Sequence, residues 1–340
     1  MSVPLLEIED LVVHFPTADG PVHAVDGLSM TVERGQTLGV VGESGSGKSV
    51  TFLAAMRLLD RAQPTISGRI ALAGVDLLGL SHAEMRRVRG ARIGMIFQDP
   101  LSALHPLLRV GDQIAETLRA HGKVGRRGAA AQAVAALRRV GIPNAEERAR
   151  QYPHELSGGM RQRVMIAMAL VLEPELLIAD EPTTALDTTV EAQILDIIDD
   201  LRVRQGIGVV LVSHSLATVA DVADTVVVMY AGRAVERGPC DAVFAHPLHP
   251  YTWGLLDSIP ALDAERARLV PIPGAPPSQV DPPPGCRFAP RCAYRIDACT
   301  ARLPELTERG GGHADACVLA VPGRTALRHR PGAGRTEAAA

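Results

Sequence analysis

Eight consecutive residues, Gly42-Glu43-Ser44-Gly45-Ser46-Gly47-Lys48-Ser49, constrain the fold more than any other stretch. An apolar run, Thr37-Leu38-Gly39-Val40-Val41, precedes them, and residues 51–56 follow with helical character. Strand, glycine-rich loop and helix form the setting in which G-x-x-x-x-G-K-[ST] binds phosphate. The glycines let backbone N–H groups turn inward around a polyphosphate, at the positive end of the helix dipole. Lys48 then reaches the β- and γ-phosphates, the Ser49 hydroxyl ligates Mg²⁺, and the residues from Gly42 to Val50 line the nucleotide. The bland alternative, a glycine loop with no ligand, accounts less well for the flanking strand and helix.

A chain of 340 residues can bury a full core, with room for one large domain and something smaller. The formal net charge of −3 gives no electrostatic reason to expect nucleic acid or an anionic membrane as partner. No apolar run approaches the roughly 18 residues of a spanning helix. The first residues lack the basic and apolar regions of a secretory signal, so a cytoplasmic protein using ATP or GTP is expected. With 3% aromatics the core must be aliphatic.

Along the chain, residues 5–14 and 24–32 alternate apolar and polar positions, as half-buried antiparallel strands do. Between them Phe15 is either ordinary core or a ring that stacks on adenine. Residues 68–73 read as a strand, 81–88 as a short helix, and 93–97 as a buried strand ending at Gln98. Pro100 and Pro106 predict a loop over 99–106, since each disfavours helix before it. Residues 110–150, rich in Ala, Arg and Leu, form a helical insertion interrupted at Gly122 and Gly125. Ser157 is a good N-cap ahead of the apolar helix 163–172. With Gly158 and Gly159 it makes either a plain cap or a second phosphate-binding terminus.

Residues 176–181 form a buried strand ending in Asp180 and Glu181. Two acids leaving an apolar strand are costly unless they face a cation or a reacting water. With a phosphate loop upstream, Asp180 reads as a Mg²⁺-assisting carboxylate and Glu181 as the group that polarises the attacking water. A turn at 185–187 leads to an amphipathic helix over 189–205. The buried strand 209–213 then delivers His214 at the edge where open α/β sheets hold ligands. Residues 226–230 and 233–236 look like a closing strand pair. Beyond about 260 the composition turns to proline, a semi-rigid connector, and from about 324 a Gly-, Ala- and Arg-rich tail reads as disordered.

With these residues assembled, positions 5–255 resemble the ATP-binding-cassette (ABC) ATPases. Walker A is 42–49, the Q-loop is Gln98, the signature is 156–160 and Walker B is 176–180. The catalytic glutamate is Glu181, the D-loop 185–187 and the H-loop His214. The resemblance implies an α/β P-loop NTPase fold of mixed sheet, antiparallel β subdomain and helical subdomain over about 99–172. The ATPase domain would span 1–259 and a connector with a small irregular Cys-rich domain 260–323. It further implies that Gln98 joins Ser49 and Asp180 around Mg²⁺, and that Ser157, Gly158 and Gly159 bind the γ-phosphate held by a partner subunit. It favours Phe15 as the adenine-stacking ring.

Four stretches narrow the resemblance to ATP-binding subunits of oligopeptide/dipeptide importers: 96–100, 156–163, 246–252 and 285–292. Such subunits sit at the cytoplasmic face under two membrane permeases, pair with a related ATPase, and receive cargo from an extracytoplasmic binding protein. The loop after Gln98 would receive the permease's coupling helix. Nickel or glutathione remains a rival cargo. A soluble cassette protein acting on DNA or ribosomes would need coiled coils or a basic face, and neither is seen. Two departures from the family are Ser215, where aspartate usually follows the H-loop histidine, and His105, where asparagine is common before the proline.

Cys286, Cys292, Cys299 and Cys317 are spaced C-x₅-C-x₆-C-x₁₇-C. Zinc ribbons usually begin C-x₂₋₄-C, and disulfides do not suit a reducing compartment. Four thiolates on an irregular segment can hold an iron–sulfur cluster, zinc stays a second option, and free thiols a third. Similar tails in peptide-importer ATPases carry a [4Fe–4S] cluster, here expected as a structural staple.

Overall fold

The computed structural model describes residues 3–59, 63–122, 124–184, 186–258 and 271–328. The chain opens with β1 (Leu6–Phe15), β2 (Val22–Val32), β3 (Thr37–Val41) and α1 (Lys48–Ala55). It continues through β4 (Thr65–Leu72), β5 (Val75–Asp76), α2 (His82–Val88) and β6 (Ile93–Ile96). Five helices follow: α3 (Pro100–Ala103), α4 (Val110–Ala120), α5 (Arg126–Arg139), α6 (Ala145–Arg148) and α7 (Gly158–Leu170). Next come β7 (Leu176–Asp180), α8 (Thr188–Gln205), β8 (Gly208–Ser213), α9 (Leu216–Ala220), β9 (Thr225–Tyr230) and β10 (Arg233–Pro239). After α10 (Cys240–Ala245) and α11 (Pro250–Asp257), the chain ends with α12 (Ala298–Ala301), β11 (Thr307–Glu308), β12 (Ala314–Asp315) and α13 (Val321–Arg328).

Two compact units result, each built from several chain segments. The first comprises residues 1–7, 31–37 and 70–212. In it β6, β7 and β8 run parallel, with Ile96 opposite Ala179 and Asp180 opposite Val212. Every residue of β7 and β8 is buried, as parallel strands covered on both faces are. The helices α4, α5 and α7 pack on one another, and Ile114, Leu118, Leu137 and Val164 on them are buried. Gly111 lets α4 approach Ala149, whose carbonyl accepts its N–H at 2.9 Å.

The loop expected over 99–106 contains a turn of helix, α3. Asp99 accepts the N–H groups of Leu101 and Ser102 at 2.9 and 3.2 Å. Pro100 occupies the first helical position, where a missing N–H costs nothing. Proline thus blocks helix before it and starts one after it.

The second unit comprises residues 8–30, 38–69 and 213–340. Here β3 pairs in parallel with β9, so the strand feeding the glycine loop is locked from Leu38 to Val41 against Thr225–Val228. β9 and β10 form an antiparallel hairpin turning at Ala231 and Gly232, both with positive φ. That hairpin does not close the sheet as expected: β12 adds to β10, with Glu236 opposite Asp315, and β11 adds to β12.

Two fully buried carboxylates hold this extension. Glu236 accepts the N–H groups of Leu248 and His249 and bonds His313, while Asp315 bonds Arg309 and Arg324. The described residues of the expected Cys-rich segment, 271–323, fall in the unit that holds the glycine loop. The expected disordered tail also begins too early at 324: α13 runs to Arg328, and Arg324 is buried on Asp315. Residues 329–340, Pro260 of the connector and Ala185 of the D-loop lie outside the described residues.

Candidate functional site

In the second unit, Gly42-Glu43-Ser44-Gly45-Ser46-Gly47 joins β3 to α1. A Cβ on Gly42 (φ +156°) would stand 2.1 Å from the Met229 carbonyl oxygen, and one on Gly47 (φ +97°) 2.3 Å from that of Ala24. No larger residue fits either position. Lys48 is 5% exposed, and its ammonium donates to the carbonyls of Gly42 at 2.7 Å and Glu43 at 3.0 Å. The side chain thus lies along its own loop at the N-terminus of α1, a ready-made anion site. Ser44 and Gly45 are exposed at the loop's crest, and Ser49 and Val50 are half-buried in the first turn of α1.

Phe15 ends β1 half-buried, which leaves part of its ring accessible. His214 follows β8 directly and is exposed. Ser215 caps α9, its hydroxyl accepting the Thr218 N–H at 3.3 Å.

The two carboxylates lie in the first unit. β7 delivers Asp180, 6% exposed, at its C-terminal end. Glu181 follows with φ +47°, a left-handed conformation that is strained for glutamate. Its Oε2 accepts hydrogen bonds from Gln98 Nε2 at 2.9 Å and from the Thr184 hydroxyl at 3.0 Å. Gln98 and Glu181, 83 residues apart, are thus brought together.

The signature opens α7. Ser157 caps it by accepting the Met160 N–H at 3.3 Å, and Ser157 and Gly158 are exposed. A Cβ on Gly159 would stand 3.0 Å from Val190 Cγ1. The capped start of α7 thus leaves Ser157 and Gly158 exposed. Gln162 ties the same helix to the segment after Glu181 by donating to the Pro182 carbonyl.

Cys286, Cys292, Cys299 and Cys317 line one apolar cavity with His249, Phe288, Val318 and Leu319. None forms a disulfide. Burial pushes the Cys292 thiol up to about 12 and that of Cys317 to about 11. Among the described residues no three of these sulfurs lie within 4.8 Å of one another, wider than one zinc ion with sulfur at about 2.3 Å would gather. His14, His23 and Asp26 do fall within 4.8 Å of one another. Arg233 and Arg287 already bond the Asp26 carboxylate, however, and their charge opposes a cation there.

Sequence reasoning missed Thr184, Tyr251, Gln279 and Arg291. Thr184 sits three residues after Glu181, the spacing of a side chain turned back on its own strand end. The Tyr251 hydroxyl accepts the Glu43 N–H at 2.9 Å, Gln279 donates to the Gly45 carbonyl, and Arg291 pairs with the Glu43 carboxylate at 2.7 Å. No local pattern marks these three as neighbours of the loop.

A glycine cradle with a buried lysine and a buried strand ending in paired carboxylates define the nucleotide-hydrolysing P-loop class. Residues 25–184 match the ABC transporter family, and residues 235–299 match the oligopeptide/dipeptide transporter C-terminal region. Dipeptide transport ATP-binding protein DppD of Bacillus subtilis is 49% identical, with 93% of this chain and 94% of that protein covered. A Brucella abortus ATP-binding protein named for peptide import is 50% identical over 93% of this chain and 97% of its own. The solved structure of cbiO1 from Clostridium perfringens, part of the ABC transporter complex cbiONQ, superposes with TM-score 0.61 at 30% identity, covering 72% and 92% of the two chains. The chain belongs to the ABC transporter ATPases, among those that carry the oligopeptide/dipeptide transporter C-terminal region.

Proposed function

We propose that this chain is the ATP-hydrolysing subunit of an importer for oligopeptides or dipeptides, working at the cytoplasmic face of the membrane. The observation that carries it is the likeness to DppD, which extends over 93% of the chain. Among the described residues no helix is long and apolar enough to cross a membrane, so the translocation path is left to permease subunits. Leu101, Leu107 and Leu108 are exposed around the loop after Gln98. They form an apolar landing for a permease's coupling helix.

Gly42–Ser49, with Lys48, holds the phosphates of ATP, and Phe15 stacks on the adenine. Ser49, Gln98 and Asp180 would hold Mg²⁺, which would offset charge on the γ-phosphoryl group. Glu181 orients and deprotonates the attacking water, held by Gln98 and Thr184 until substrate arrives. His214 and the signature of a second, related subunit (Ser157, Gly158 and Gly159 at a helix terminus) complete the charge stabilisation. Binding closes the pair of ATPases, and closure turns the permeases as a rigid-body switch. An extracytoplasmic binding protein supplies the cargo.

Cys286, Cys292, Cys299 and Cys317 would hold a [4Fe–4S] cluster. It would supply four iron–thiolate bonds that staple a segment with little regular structure.

The test is ATPase activity of the full assembly, with cognate permeases and binding protein, over a panel of peptides, nickel and glutathione. Stimulation by peptides supports the reading. Stimulation by nickel or glutathione alone, or ATP turnover indifferent to permeases, overturns it.

A further inference from the structure

Arg291 stands immediately before Cys292 in sequence and inside the nucleotide half of the second unit in space. All five of its N–H groups meet acceptors. Nε donates to the Pro273 carbonyl at 2.8 Å, Nη1 to Glu43 at 2.7 Å and the Tyr230 hydroxyl at 3.2 Å. Nη2 donates to Glu43 at 3.1 Å and the Ile272 carbonyl at 3.3 Å. The Arg291 side chain is 5% exposed and that of Glu43 26%. A two-pronged guanidinium–carboxylate pair of this kind fixes orientation as well as distance.

Glu43 is the second residue of the glycine loop, and its backbone is tied as well. Its N–H donates to the hydroxyl of buried Tyr251. Tyr251 packs at 4.6 Å against Tyr230 and 5.3 Å against Phe288. Two further bonds hold the loop from the same side: Gln279 to the Gly45 carbonyl, and the Gly232 N–H to the Ser46 carbonyl at 3.0 Å. Arg287, next to Cys286, grips the Ala231 carbonyl and Asp26. The first two cysteines of the tail are thus each flanked by an arginine anchored beside the glycine loop.

We propose that Arg291 is a positioning residue for ATP binding: through Glu43 it holds the glycine loop in its phosphate-receiving shape and makes that shape depend on the Cys-bearing segment. This rests on the reading that Gly42–Ser49 binds ATP. A loop free to collapse must be reordered by each incoming nucleotide, and that cost falls on affinity. The bonds made by Arg291's five N–H groups go to Glu43, Tyr230, Ile272 and Pro273, none of them assigned to the chemical step, so that step is spared.

The experiment measures ATP affinity and turnover of purified full-length protein carrying Arg291→Ala, Arg291→Lys, Glu43→Gln or the double change Glu43→Gln/Arg291→Ala. Arg302→Ala serves as a surface control. Arg291→Ala should weaken ATP binding about tenfold and leave kcat at saturating ATP within about twofold, and Glu43→Gln should weaken ATP binding to a similar extent. Arg291→Lys should fall between, since an ammonium keeps the charge and loses the fork. The double variant should bind no worse than either single one, because the pair is broken once. Unchanged affinity in folded Arg291→Ala, or additive losses in the double variant, overturns the proposal. If Arg291→Ala does not fold, unchanged affinity in Glu43→Gln overturns it alone. Absence of ATP binding by the unaltered protein would instead refute the reading of the loop itself.

Discussion

Gln98 donates its side-chain N–H to Glu181 Oε2 at 2.9 Å, which joins the end of β6 to the end of β7. The neighbouring strands are parallel and in register from Ile93 and Leu176 onward, so both side chains leave the sheet at one edge. The bond couples the segment leading to exposed Leu101, Leu107 and Leu108 to the group assigned to water activation. Movement of that segment therefore has a direct route to the carboxylate.

Glu181→Gln keeps the shape and hydrogen bonds of this arrangement and removes the base. ATP hydrolysis should fall by at least about a hundredfold, in line with the usual worth of general-base catalysis. Equilibrium binding of ATP should persist, and gel filtration with ATP should show the closed pair accumulating. Turnover at the unaltered rate would remove Glu181 from its role.

Gly47→Ala asks the backbone for φ +97° and places a Cβ 2.3 Å from the Ala24 carbonyl. Strain and clash together exceed the usual cost of alanine at glycine, and a destabilisation of at least about 2 kcal/mol is expected. Calorimetry should record a lowered Tm, and nucleotide titration little or no binding.

Ser215→Ala removes the cap of α9 and should cost about 1 kcal/mol in denaturant unfolding. Ser215→Asp restores the acceptor and should match the unaltered stability. Equal losses in both variants would show that the hydroxyl does not act as a cap.

Glu175 bonds Arg92 at 2.6 Å and Arg34 at 2.7 Å, and these guanidiniums, Arg92 foremost, hold its carboxyl below the ordinary value of 4.5. A depressed folded value stabilises the protein above pH 4.5, and the benefit is lost as pH falls through the folded value. Partly exposed pairs of this kind contribute about 0.5–1 kcal/mol. Glu175→Gln should therefore be less stable by that amount at pH 7, with the gap closing towards pH 3. Urea titrations at the two pH values measure it.

Protein purified without oxygen should be brown, with visible absorbance that Cys292→Ser removes. The four cysteines share one cavity, so losing a single thiolate breaks the donor set. Colourless protein with stoichiometric zinc would exchange the cluster for an ion, and the sulfurs would have to move closer than they stand here.

The local structure that depends on close neighbours along the chain was legible in the sequence. Gly42 to Ser49 needs its own spacing and a strand before it. Asp180 and Glu181 need only an apolar strand to carry them out, and Ser157 caps the helix that begins at the next residue. Backbone sterics, helix capping and strand burial act over a few residues, so they leave local patterns. Even there a direct bond went unseen: Gln98, 83 positions away, donates to the Glu181 carboxylate.

Tertiary structure alone decided where the tail belongs. Its cysteine spacing and prolines read as a separate domain, because low helix and strand propensity says nothing about what a segment packs against. Pairing of β12 with β10 depends on Glu236 and Asp315 being buried together with their own partners, 79 positions apart in the chain. Arg291 and Glu43 are separated by 248 positions, and opposite charges so distant carry no mark of each other in sequence. Their attraction becomes specific only when the folded chain removes water from around the guanidinium and leaves it one carboxylate to meet.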